Sequence, residues 1–152
     1  MADSKADAEA DAVRAWYTSL LDQVVKEMIR VKAVEGAAVQ ASPVWMLPNR
    51  MLMAKVWAVT KESDFVWTLS VDKLIADFVA GSLAATPREA AKHFALKWQM
   101  DADRLVNFGK SEASGKEDEQ RMKEFSTKLV EHAELLYDLT SRDEAWEEPE
   151  LE

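Results

Sequence analysis

Asp72 and Asp77 flank a short apolar segment and form the most suggestive pair of carboxylates in the chain. Paired carboxylates can do general acid–base work when burial or a like charge raises one pKa. A simpler role is open to Asp72, which can cap a helix starting at Leu74, and capping is the better reading. The two histidines, His93 and His132, fall on separate helical stretches. If those helices pair, the histidines could meet with Asp101 or Glu134 nearby. A metal site needs further converging ligands, and no His-x-x-x-His or Glu-x-x-His spacing exists, so packing or surface roles fit better. No metal, cofactor or catalytic residue is therefore expected. No glycine cluster could cradle a phosphate, and no serine sits in a nucleophile elbow.

The six tryptophans offer binding chemistry rather than reaction chemistry. Trp67 and Trp98 fit a core in which sheet meets helix. Trp57 falls beside Lys55 on a face of mixed polarity and is the best candidate for an exposed aromatic anchor. Trp146 stands in an acidic C-terminal tail, 143–152, which could dock on a basic groove or simply remain solvated. The candidate partner-binding residues are thus Trp57, Lys55, Asp72, Asp77 and Trp146.

Composition narrows the classes. A chain of 152 residues with 48% hydrophobic content suits one domain, long enough to bury about two-thirds of its unfolded surface. A net charge of −9 repels phosphate backbones and disfavours nucleic-acid binding. It would attract a basic protein partner, although acidity is also ordinary for soluble proteins. No apolar run has the length of a membrane span, and the start, MADSKADAEADAV, lacks the plan of a signal peptide. With no cysteine there is neither a disulfide framework nor thiolate chemistry, and a cytoplasmic setting is expected.

The elements that would position these residues centre on 51–71, which read as a β-hairpin. Phe65, Trp67, Leu69 and Val71 alternate with Val66, Thr68 and Ser70, the period of a strand. A two- or four-residue loop at 61–64 pairs Thr60 with Phe65, Ala58 with Trp67 and Val56 with Leu69. Small residues then oppose large ones on one face, and Met53, Lys55 and Trp57 share the other face with Val66, Thr68 and Ser70. A helix over 51–59 is the alternative.

Before the hairpin, residues 1–10 read as a frayed start. A helical stripe runs from Val13 through Tyr17, Leu20, Val24, Met28 and Val31, with Gly36 as its stop. Residues 37–41 suit a short strand, and 42–49 (SPVWMLPN) a connector with two prolines. After the hairpin, 74–79 reads as helix or edge segment, and 81–85 as a break. Thr86-Pro87-Arg88-Glu89 carries a capping-box signature with proline in the first turn. The helix it starts buries Ala91, Phe94, Ala95, Trp98, Ala102, Leu105 and Val106 and should end near Gly109. A connection at 110–116 leads to a last helix with Met122, Phe125, Leu129, Ala133, Leu136 and Leu139 on one stripe. The two should pack antiparallel.

These stretches together resemble an uncharacterised bacterial family, domain of unknown function family 4826. The resemblance rests on residues 54–59 (AKVWAV), 65–70 (FVWTLS), 87–90 (PREA), 93–99 (HFALKWQ), 133–138 (AELLYD) and the late Trp146, in family order over roughly 13–147. The family pattern after the second strand resembles Ser-Gly-Asp-Leu-Pro-Thr-Asp-aromatic. Here Val71 replaces the glycine, no proline follows, and one residue is inserted between Asp72 and Asp77. A function carried by that turn would be altered in this chain. The resemblance implies a fold and no activity.

The resulting expectation is a single α+β domain: an N-terminal helix, a small antiparallel sheet built on the hairpin at 51–71, and two C-terminal antiparallel helices packed on it. An all-α bundle is the alternative. The expected function is a small acidic cytoplasmic interaction module, an adaptor, inhibitor or immunity-type binder of a basic partner. The alternatives are a small-molecule-binding module using the aromatic sheet, or an enzyme using Asp72 and Asp77.

Overall fold

The computed structural model describes residues 2–36, 38–71, 75–112 and 115–146. The fold is α+β, with an N-terminal helix, a four-stranded antiparallel sheet and two C-terminal helices. Contacts divide the chain into two compact units, Met1–Pro87 and Arg88–Glu152.

The first unit opens with helix α1, Ala2–Arg30. Residues 2–10, expected to fray, are helical; alanine, glutamate and lysine are among the best helix formers. The helix stops well before Gly36. Lys32 takes a left-handed φ of 61°, its N–H donates to the Ile29 carbonyl, and the Ala33 N–H donates to the Met28 carbonyl at 2.9 Å. That pair of bonds is a Schellman ending, with lysine where glycine is usual. It turns the chain so that Ala33 and Val34 fold back towards Met28. Leu20, Val24 and Met28 are buried, whereas Ile29 and Val31 are exposed.

The sheet has the order β1-β2-β3-β4, with β1 Val39–Leu47, β2 Met51–Ala58, β3 Val66–Val71 and β4 Ile75–Ala80. Strands over 51–58 and 75–80 exclude the all-α alternative and the helix that Asp72 would have capped. The expected connector at 42–49 is also mostly strand. Two features let β1 carry Pro43: β1 is an edge strand, and its pairing with β2 slips between Pro43 and Trp45. Proline is tolerated at such edges and bulges because no ladder donor is lost. Pro48 and Asn49 then form a tight turn in which the Arg50 N–H donates to the Leu47 carbonyl. Asn49 takes a positive φ, 64°, the conformation that the third position of a type II turn requires and that asparagine tolerates.

The register of β2 on β3 corrects the expected hairpin. Val56 faces Val66, Lys55 faces Trp67, and Met53 faces Leu69. Lys55, Trp57 and Met53 therefore share a face with Trp67 and Leu69, and Val56 and Ala54 share the other with Val66 and Thr68. The link is longer than a tight turn: Val59–Asp64 forms 3-10 turns, and the Val59 N–H is drawn to the Ala38 carbonyl at 3.0 Å. Matching small with large residues on one face was the wrong criterion, because both faces of β2 and β3 are buried along most of their length. One face meets α1, where Val24, Met28 and Val34 pack with Val56, Ala58 and Val66, flanked by Val39, Ala41 and Phe78. Thr68 is accommodated there by donating its hydroxyl to the Ala54 carbonyl.

The second unit pairs α2, Pro87–Glu112, with α3, Lys116–Thr140. The start of α2 falls where the proline signature placed it. The helix runs through Gly109 rather than ending there; an internal glycine costs about 1 kcal/mol against alanine, which a long helix absorbs. The pairing is antiparallel. Arg88 Nε, in the first turn of α2, donates to the Thr140 carbonyl at the end of α3 at 2.7 Å, and Ser126 Oγ donates to the Ala102 carbonyl at 2.9 Å. The buried positions of α3 are Ser126, Leu129, Ala133, Leu136 and Thr140. The expected stripe holds from Leu129 to Leu136, but Phe125 gives way to Ser126, whose hydroxyl bonds the facing backbone. A 3-10 turn, Asp143–Trp146, closes the described chain.

Candidate functional site

The burial pattern of β2 singles out two residues. Met51, Leu52, Met53, Ala54, Val56 and Ala58 are buried; Lys55 and Trp57 are not fully so. Both side chains lie on one face and border an open recess of about 680 Å³. Ser42 and Val44 of β1 form one wall, and Glu62, Ser63 and Phe65 form the other. Alternation along β2 puts Trp57 and Lys55 on one face, as expected, but that face is shared with Trp67 and Leu69 rather than with Val66, Thr68 and Ser70.

Three aromatic and backbone features fix the surroundings of the Lys55 ammonium. Trp67 is 1% exposed, and its indole N–H is shared between the carbonyls of Gly81 and Ala84, each at 3.2 Å. Phe65 meets Trp67 edge to face, with ring centres 5.3 Å apart. Gly81 makes this possible: a Cβ there would lie 2.5 Å from the Phe65 carbonyl oxygen and 2.9 Å from its ring. Lys55 Nζ then sits 4.6 Å from the Phe65 ring centre and 4.9 Å from that of Trp67. Rings at these distances attract an ammonium through their negative faces. An ammonium carries three N–H donors, more than two ring faces engage.

The other candidates lie elsewhere. Asp72 falls outside the described residues. Asp77 is on β4, opposite Leu69, and its Oδ1 accepts the Phe78 N–H at 2.8 Å. The Gly81 N–H donates to the Phe65 carbonyl. Alternation from that pair leaves the Phe78 N–H pointing away from β3, at the sheet's outer edge. Asp77 therefore covers a donor on an edge strand, which is a known way of blunting such an edge. Trp146, in the second unit, donates its indole N–H to the Leu139 carbonyl at 2.8 Å and so secures the last turn of α3. Glu147, Glu148 and Glu150 of the tail lie outside the described residues.

His93 is exposed and His132 half-buried, while Asp101 pairs with Lys97 at 3.2 Å and with Arg104 at 3.7 Å. Among the described residues no group of three or more His, Asp or Glu could hold a metal ion. On α1, the Arg30 guanidinium hydrogen-bonds Glu27 and holds its carboxyl below the usual carboxylate range. That pair is a solvent-facing contact within one helix. Sequence reasoning missed a second recess, of about 620 Å³, bordered by Lys92, Leu96 and Gln99 of α2 and by Tyr137, Thr140 and Ser141. Leu96 and Tyr137 are 58% and 62% exposed; their signal in the sequence was that they stand off the apolar stripes.

The family model for Domain of unknown function (DUF4826) matches residues 11–146. The chain belongs to this family. No curated protein and no solved structure matches it. The DUF4826 match takes in the whole sheet, Lys55, Trp57 and Trp146, so the recess is part of the family domain rather than an appendage to it. No helix among the described residues is long and apolar enough to cross a membrane.

Proposed function

We propose that this chain is a small acidic cytoplasmic interaction module that docks a protein partner on the recess beside Trp57. The observation that carries the reading is the break in β2 burial at Lys55 and Trp57. A strand buried on both faces elsewhere leaves an aromatic ring and a cation at an open concavity. Aromatic anchors in such settings dominate binding energy at interfaces. The recess is open and walled by Ser42 and Val44 of β1 and by Glu62 and Ser63 of the 3-10 stretch, which suits a protruding side chain better than an enclosed small molecule. The net charge of −9 favours a partner with a basic surface, because complementary charge speeds encounter and limits wrong pairings.

The reading is tested by capture with two baits, the native chain and Trp57→Ala, matched for melting temperature. A basic protein retained by the native bait and lost from the variant supports it. A partner retained equally by both baits contradicts it.

A further inference from the structure

Lys55 is the unusual member of the recess. The chain holds 28 acidic residues against 19 lysines and arginines, and ion pairs are frequent on its helices. Yet the contacts of the Lys55 ammonium are the rings of Phe65 and Trp67, and no carboxylate among the described residues lies within ion-pair distance. Glu62 borders the same recess without reaching it. The side chain is half-buried, and the rings hold the ammonium at the border of the recess. Such a cation is pre-positioned: little rotamer freedom remains to be lost when an anion arrives. Flanking rings reduce its contact with water, and a charge-assisted hydrogen bond strengthens where water is excluded.

We infer that Lys55 is the specificity residue of this recess and that it receives a carboxylate, an aspartate or glutamate side chain of the partner, while an adjacent apolar residue of that partner rests on Trp57. The inference rests on the docking reading above and adds the chemistry of the inserted group. It assigns opposite roles to two charge sets. The acidic surface attracts a basic partner at a distance, and Lys55 selects one acidic side chain at contact. Glu62, exposed at the mouth, faces the basic surroundings of that side chain.

The test uses two blocked dipeptides, acetyl-Phe-Glu-amide and acetyl-Phe-Gln-amide, titrated against the full chain and followed by backbone amide shifts in NMR. The Glu peptide should bind about tenfold more tightly than the Gln peptide, the least expected of a hydrogen bond to a charged group. Lys55→Met should abolish that preference and Lys55→Arg should retain it, with shifts confined to residues around Trp57. Equal binding of the two peptides, absence of binding by both, or a preference that survives in Lys55→Met would overturn the inference and leave Lys55 a structural staple. The two readings fail separately: a partner captured through Trp57 whose affinity ignores Lys55→Met refutes the carboxylate and spares the interface.

Discussion

Lys55 stands directly across the β2–β3 ladder from Trp67, and its ammonium lies 4.9 Å from the centre of that indole. The buried ring thus has two tasks. It fills the core beneath the sheet face, and it supports the cation that borders the recess. The two carbonyls that share its N–H, from Gly81 and Ala84, fix the ring in one orientation.

Trp67→Ala should destabilise the chain by about 3–5 kcal/mol, the usual cost of emptying a large buried aromatic site. Chemical denaturation measures it. A midpoint equal to that of the parent would mean that the ring is dispensable to the core.

Lys32→Gly should stabilise by about 0.5–1 kcal/mol, because a left-handed residue with a Cβ is strained and glycine is not, less the entropy glycine adds to the unfolded chain. The measurement is again a denaturation midpoint. A destabilised variant would show that the lysine side chain, rather than its backbone, holds the end of α1.

Asp77→Ala should release the Phe78 N–H, and Asp77→Asn, which keeps an acceptor oxygen, should not. Hydrogen exchange at the Phe78 amide should therefore accelerate in the alanine variant. Concentration-dependent association should rise with it, as for an edge strand stripped of its cover. Unchanged exchange in Asp77→Ala would rule out the edge-covering role.

Much of this architecture was legible in the chain. The proline of Thr86-Pro87 marked the start of α2, and the period-two alternation of Phe65 to Val71 marked β3. The limits have physical causes. Met51–Ala58 is apolar on both faces but for Lys55, and a strand buried on both sides loses the alternation that fixes register. The end of α1 was hidden because lysine, not glycine, takes the left-handed position. Pro43 read as a connector because its tolerance depends on β1 being at an edge, a fact of topology. For the site, Lys55 and Trp57 were visible as neighbours of mixed polarity. The rings beneath Lys55 were not, since they are set by a ladder register that the hairpin pattern placed wrongly.

The central claim is that Trp57 is an anchor for a partner rather than core packing. The direct measurement is the rate of dissociation of the captured partner from native and Trp57→Ala chains, taken with thermal melts of both. The account predicts dissociation at least about tenfold faster in the variant, as expected for a central aromatic worth more than about 1.4 kcal/mol, with a nearly unchanged melting temperature. A melting temperature that collapses as it does for Trp67→Ala, or a dissociation rate equal to the native one, would contradict it.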